Sequence, residues 1–310
     1  MKEKKHILVT GASGFLGKAV VDTLLKKEDV AVMALCRKAD NCHRFVPHPQ
    51  LSVQAADLTN AEETETLMAE WKPQAVFHLA ALARLQQGEE RPEEAVKVNL
   101  LATIDLLQKA SRYGAKHFLF TSSDLARAAK SVVGITKLLA EKYLQLFPGS
   151  RPEVVTFRMP NLYDFPGSVM DIFARQIAEN KDLSITDERM ARRFITREEA
   201  AGYLLYLMKN GENHQVYSVK QEPVFIRDLA LKMIADSGKD LKLKIIGARP
   251  GEKLYQASYS DAEATDTGYG HLARLRLKPP SLSEIFGCIR RLPVPDTLKA
   301  VLQNRFKNLF

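Results

Sequence analysis

A chain of 310 residues, 45% hydrophobic and 26% charged, is long enough for one large core plus a smaller lobe, and this composition argues against disorder. No apolar run approaches the roughly 20 residues of a membrane span, and the first strand begins at residue 6, so a cytoplasmic protein without a signal peptide is expected. The formal charge of +8 suits an anionic partner, yet the basic residues are spread along the chain rather than gathered with aromatics into one stripe, which argues against nucleic acid.

The first element, His6 to Val9, reads as a fully buried parallel strand. It runs through Thr10-Gly11-Ala12-Ser13-Gly14-Phe15-Leu16-Gly17 into an amphipathic helix carrying Val20, Val21, Leu24 and Leu25. In a strand-turn-helix of this kind Gly11 permits the tight turn, Gly14 lets the backbone approach a pyrophosphate and Gly17 lets the helix pack on the strand. The expected ligand is a dinucleotide, with Thr10, Ser13, Phe15 and Leu16 beside the glycines. The Gly-x-x-Gly-x-x-Gly spacing resembles the short-chain dehydrogenase/reductase superfamily.

Val30 to Leu35 is the second strand and ends at Cys36-Arg37-Lys38. A cation just past this strand accommodates the 2'-phosphate of NADP, whereas an acid would bind the ribose of NAD, so Arg37 and Lys38 place NADP(H) ahead of NAD(H). Leu51 to Ala56 is a third strand leading to Asp57-Leu58, which in the superfamily sits against the adenine. A helix from Glu62 to Trp71 and a fourth strand, Ala75 to His78, follow. The strand runs into Leu79-Ala80-Ala81, small enough to pass beneath the cofactor. Pro92, Glu93 and Glu94 open a long helix with the proline and acids its N-terminus favours. Phe118 to Phe120 is the fifth strand, ending at Thr121-Ser122-Ser123-Asp124; a helix beginning near Val132 then carries Lys137. Cys36, Cys42 and Cys288 have no metal-ligand spacing and read as reduced thiols, so no metal site is expected.

Strands alternating with helices argue an α/β, Rossmann-type, doubly wound parallel sheet with its ligands at the carboxyl ends of the strands. The expected organisation is a cofactor domain over residues 1–165, to which 197–222 returns, and an interwoven C-terminal substrate lobe over 166–282. A basic amphipathic segment, 283–310, completes the chain. Docking of that segment on the body or on a second subunit is expected, with peripheral contact to an anionic membrane as the alternative. A homo-oligomer is expected.

Past a sixth strand, Val154 to Phe157, come Arg158-Met159-Pro160-Asn161-Leu162-Tyr163, then Met190-Ala191-Arg192-Arg193-Phe194-Ile195-Thr196, and later Arg249-Pro250-Gly251-Glu252-Lys253-Leu254-Tyr255. From about residue 6 to 275 this set resembles the UDP-N-acetylglucosamine 4,6-dehydratases of bacterial polysaccharide biosynthesis, an extended short-chain family. The resemblance implies that Asn161, Arg192, Arg249 and Glu252 line a UDP-sugar pocket. Guanidinium forks suit the diphosphate, and a carboxylate suits the ribose hydroxyls. Arg84 stands at a pocket edge where the family carries Lys-His. Ser122 and Met159 complete the cofactor set.

In the catalytic segment the resemblance implies Ser123 and Asp124 as site residues and Lys137 as the ribose-binding lysine. The family tyrosine position is Val133, and the lysine that would remove the C5 proton is Leu125. Each missing acid-base group forfeits about 10²- to 10⁴-fold in rate. Three readings therefore stand: a 4,6-dehydratase with an altered acid-base set, a C4 reductase or epimerase that needs no C5 base, and a non-catalytic protein that binds UDP-sugar and NADP.

Overall fold

The computed structural model describes residues 4–163, 165–247, 254 and 263–310. The first strand, β1 (Lys5–Thr10), passes through the fully buried Ile7, Leu8 and Val9 and enters the glycine turn before α1 (Phe15–Leu25). β2 (Val30–Cys36), β3 (Leu51–Ala55), α2 (Ala61–Trp71) and β4 (Ala75–His78) follow. Asn60 starts α2 by accepting hydrogen bonds from the Glu62 and Glu63 amides, satisfying donors that the helix itself leaves open. The long helix expected after Pro92 is interrupted. A short α3 (Leu85–Glu90) precedes α4 (Pro92–Val96), and a π-turn over Lys97–Leu101 separates this from α5 (Ala102–Arg112).

The π-turn has a cause in packing. It brings Asn99, fully buried, to face the Leu82 backbone, where its Oδ1 accepts from Leu82 N at 2.8 Å and its Nδ2 donates to Leu82 O at 3.0 Å. A buried amide costs free energy unless each of its polar atoms is paired.

The chain continues through β5 (His117–Ser123), α6 (Val132–Leu146), β6 (Glu153–Met159), β7 (Asn161–Leu162), α7 (Val169–Ala178), β8 (Leu183–Ile185), β9 (Ala191–Arg192) and β10 (Phe194–Ile195). Then come α8 (Arg197–Asn210), β11 (Val216–Val219), β12 (Val224–Phe225), α9 (Ile226–Ser237), β13 (Leu243–Ile245), β14 (Ala264–Asp266), β15 (Leu272–Leu275), α10 (Leu282–Arg290) and α11 (Asp296–Lys307). Capping boxes open α8 at Thr196 and Glu199 and α10 at Ser281 and Glu284.

Among the described residues the main sheet has nine strands in the order β14-β15-β11-β6-β5-β4-β1-β2-β3. Those from β11 to β3 run parallel, and β15 and β14 close the far edge antiparallel. The fold is a Rossmann-type, doubly wound fold. Its strand order reverses between β1 and β4, which opens a crevice at their carboxyl ends. Residues 264–275, grouped by the sequence with the substrate lobe, belong to this sheet.

Two apolar layers cover the sheet. Val20, Val21 and Leu24 of α1 join Leu204 and Leu207 of α8 on one face, and Leu67, Ile104, Leu139 and Leu144 lie on the other. Fully burying each such side chain contributes about 1.5–3 kcal/mol. The C-terminal helices join the second layer: Ile285, Ile289, Leu302 and Phe306 are buried, and the Phe306 ring meets Tyr143 of α6 edge-on at 5.6 Å. The apolar face of 283–310 thus packs on the body of the protein. A third cluster, Phe173, Leu183, Ile185, Met190, Phe194, Ile226 and Ala230, forms the core of the smaller lobe. No helix among the described residues is long and apolar enough to cross a membrane.

Candidate active site

The glycine turn is closed as tightly as its spacing demands. Gly11 takes φ +65°, and its would-be Cβ lies 2.8 Å from the Ala80 backbone; a Cβ on Gly17 would lie 2.2 Å from Gly11 O. Side chains at these positions would push apart β1, α1 and the chain leaving β4. Gly14 caps α1 without a side-chain hydrogen bond, so the first amides of the helix, at Phe15, Leu16 and Gly17, have no intrahelical acceptor. Ser13 lies in the same turn, and the Arg44 guanidinium donates to its carbonyl at 3.4 Å. Nothing in the local pattern around Arg44 signals that contact.

Thr10 and His78 join the turn to the core. The Thr103 hydroxyl donates to Asn99 O at 2.9 Å, so His78 Nε2–H donates to Thr103 Oγ1 at 2.8 Å. His78 Nδ1 then accepts the Thr10 hydroxyl proton at 2.8 Å, and Thr10 Oγ1 accepts from Ala80 N at 3.3 Å. Burial, reinforced by the nearby Lys137, pushes the His78 imidazole down to about 3, and the ring is neutral. The chain Leu79, Ala80 and Ala81 is thereby held over Gly11. The sequence places His78 only at a strand end and gives no sign of this network.

Of the two cations after β2, Arg37 lines a cavity of about 200 Å³ with Asp57, Thr59, Glu94, Lys97 and Val98. Lys38 does not line it; it is exposed and precedes a 3-10 turn over Ala39–Arg44. Asp57 is fixed by the Thr59 amide at 2.9 Å and hydroxyl at 2.8 Å, and Leu58 packs against the core. Glu94, Lys97 and Thr59 reach this cavity unannounced, because a helix face can be read from sequence only as buried or exposed.

The Ser122-Ser123-Asp124 segment lies at the carboxyl end of β5, in register with β6 so that Ser122 faces Arg158 and Ser123 faces Met159. Ser122 Oγ is buried without a hydrogen-bond partner. Ser123 Oγ accepts from Leu125 N at 3.3 Å, which leaves its own proton free to donate. Asp124 is 2% exposed. Lys137 Nζ donates to Thr121 O at 2.7 Å and lies 4.4 Å from the centre of the Phe120 ring. Burial pushes the Lys137 amine down to about 7, with Glu141 opposing the shift. Beneath the site the Arg158 guanidinium holds Glu141 at 2.5 and 3.1 Å; burial works against its charge, while Glu141, then Asp124 and Glu263, sustain it.

At the family tyrosine position Val133 is 2% exposed and packs against α3, where a Cβ on Gly88 would come within 2.5 Å of Val133 Cγ2. Ser131 caps α6, its side chain accepting from Gly134 N at 3.1 Å; Glu89 Oε1 accepts from Val132 N at 2.9 Å at the same helix start, and Glu90 accepts from Gln86 at 2.8 Å. Leu125 packs against the core below α6.

Arg84 reaches across the crevice to the Phe165–Ser168 turn, 3.6 Å from where a Cβ on Gly167 would sit, and Phe165 meets Phe15 edge-on at 6.1 Å. Asn161 donates from its amide and its side chain to Arg193 O at 3.0 and 3.2 Å. Arg192, 8% exposed, donates to Ala191 O at 2.8 Å and to Leu254 O at 3.1 Å. Arg249 and Glu252 lie outside the described residues.

A family model described as polysaccharide biosynthesis protein matches residues 7–275, most of the chain. The chain belongs to that polysaccharide biosynthesis family. Within it, the probable polysaccharide biosynthesis protein EpsC of Bacillus subtilis is 31% identical over 265 residues, 81% of this chain and 44% of that protein. The chain thus spans less than half of such relatives. A UDP-glucose 4-epimerase of Rickettsia bellii is 27% identical over 278 residues, covering 85% of this chain and 81% of the relative. In structure the chain is similar to Pen from Bacillus thuringiensis, with a TM-score of 0.81 and 26% identity over 88% of each chain.

Proposed function

We propose that this member of the polysaccharide biosynthesis family is an NADP(H)-dependent enzyme that performs hydride chemistry at C4 of a UDP-sugar, as a reductase or epimerase. The observation that carries the reading is the meeting of the glycine turn, the unpartnered Ser122 hydroxyl, Asp124 and the buried Lys137 at the carboxyl ends of β1 and β5. The residues fit the cofactor: the closed glycine cradle and the open amides of α1 suit its pyrophosphate, and the cavity at Arg37 suits the adenosine end. The bound nicotinamide would take up and return the hydride. Ser123, with its proton free, would relay the C4 hydroxyl proton, and Lys137, close to half neutral at pH 7, would hold it. Asn161, Arg192, Arg249, Glu252 and Arg84 would hold the UDP-sugar. Names among the relatives, polysaccharide biosynthesis protein and UDP-glucose 4-epimerase, support a nucleotide-sugar substrate.

Two observations favour C4 chemistry over 4,6-dehydration. Leu125 cannot take the C5 proton, and Glu89, which packing brings to the start of α6, is engaged by the Val132 amide. The retained Asp124 is what supports the dehydratase as a second reading. Purified protein would be incubated with UDP-N-acetylglucosamine and catalytic NADP+, and with a UDP-4-keto-6-deoxy amino sugar and NADPH. The expected result is no loss of water from the first substrate, together with its epimer or with NADPH oxidation by the second. Loss of one water would replace this reading with the dehydratase; binding without any conversion would replace it with the non-catalytic protein.

For the cofactor, NADP(H) is expected to bind more tightly than NAD(H), and Arg37→Asp to reverse that order. Equal affinities of the native chain, read by calorimetric titration, would refute the assignment.

A further inference from the structure

The cavity that holds Arg37 also holds an acid. Glu94 lies on α4, in the second position after Pro92, and its carboxylate is 3.8 Å from the Arg37 guanidinium; Arg91, one helical turn back, reaches the same carboxylate at 3.4 Å. Lys97 lies one turn further on and lines the same space, as do Asp57 and Thr59. Arg37 thus meets the cavity already partnered.

We infer that Glu94 is a specificity-determining residue that restrains the preference for a 2'-phosphorylated cofactor. The inference rests on the proposed NADP(H) site. A 2'-phosphate docking on Arg37 must displace the Glu94 carboxylate from the guanidinium or settle beside it, and either one weakens the contact. A ribose 2'-hydroxyl carries no charge and meets no such obstacle; a carboxylate in this place can accept its proton. Arg37 and Glu94 therefore oppose each other in the choice between the two cofactors. Both side chains are partly exposed, 64% and 38%, so the contest is moderated by solvent.

The test is a comparison of NADP+ and NAD+ dissociation constants, by calorimetric titration, for the native chain, Glu94→Gln and Glu93→Gln. Glu93 occupies the same first turn of α4 but does not line the cavity, so its substitution removes an equal formal charge without touching Arg37. In Glu94→Gln the ratio of NADP+ to NAD+ affinity is expected to rise about five-fold, the size of effect an exposed charge at ion-pair distance produces. Most of the change should fall on NADP+, and the ratio in Glu93→Gln should stay at the native value. Equal gains for both cofactors in Glu94→Gln, or the same rise in Glu93→Gln, would overturn the inference while leaving the cofactor site standing. If the native chain binds neither cofactor, the proposed function itself falls and the inference with it.

Discussion

Lys137→Met is expected to melt a few degrees above the native chain at pH 7 while turning over 10²- to 10⁴-fold more slowly. The two effects share one cause. The amine is 4% exposed, and burial brings it from an ordinary 10.5 down to about 7. Between pH 7 and 10.5 the unfolded chain binds more protons at this site than the native chain, so stability rises with pH across that window and the full penalty is present below pH 7. Methionine removes the penalty with nearly the same volume. It also forfeits the hydrogen bond to Thr121 O at 2.7 Å and leaves that carbonyl unpaired, so the net gain is about 1–3 kcal/mol. The chemical loss follows from the proposed function, in which the same group, with no tyrosine at Val133, would be the base that receives the C4 hydroxyl proton. Oxidation of the sugar by the native enzyme should accordingly slow as pH falls through about 7. Melting curves and steady-state rates across pH 5.5–8.5 decide the matter; a Met variant within ten-fold of native rates would remove Lys137 from the proton path.

His78→Gln addresses the second buried base, whose imidazole stacks on the Phe120 ring with centroids 5.8 Å apart. The native imidazole, held to about 3 by burial and by Lys137, binds fewer protons than an unfolded histidine between pH 3 and 6.5. Stability is therefore intact above 6.5 and is lost as pH falls, by about 3 kcal/mol at pH 4 from this group alone. Glutamine cannot titrate, and it cannot reproduce both the 2.8 Å contacts to Thr10 and Thr103. The variant should be less stable by about 1–3 kcal/mol at pH 7 and lose less than the native chain on acidification, so that the two converge between about pH 6 and pH 4. Urea unfolding midpoints at pH 7 and pH 4 read this directly. Parallel losses in the two proteins would show that the acid lability comes from carboxylates elsewhere.

The strands of the cofactor domain, the glycine turn and the starts of the main helices were legible in the sequence because each reflects a demand the backbone makes locally. An unbroken apolar run such as Ile7 to Val9 must be buried on both faces, and Gly11 and Gly17 are needed where no Cβ fits. The family motifs from Arg158 to Thr196 were legible for the same reason, as continuous stretches.

Partnerships between distant residues were not. Only the tertiary structure decided that Arg37 rather than Lys38 lines the cavity beside Asp57, and that it does so paired with Glu94 from another element. Packing across more than forty residues of sequence put Gly88 on Val133 and the Glu89 carboxylate on the first amide of α6. The π-turn at Asn99, the neutral His78 and the antiparallel β14–β15 edge arise the same way. Periodicity and backbone geometry are properties of neighbours along the chain. Which polar atoms meet in the dry interior depends on how whole elements stack, and only the folded chain contains that.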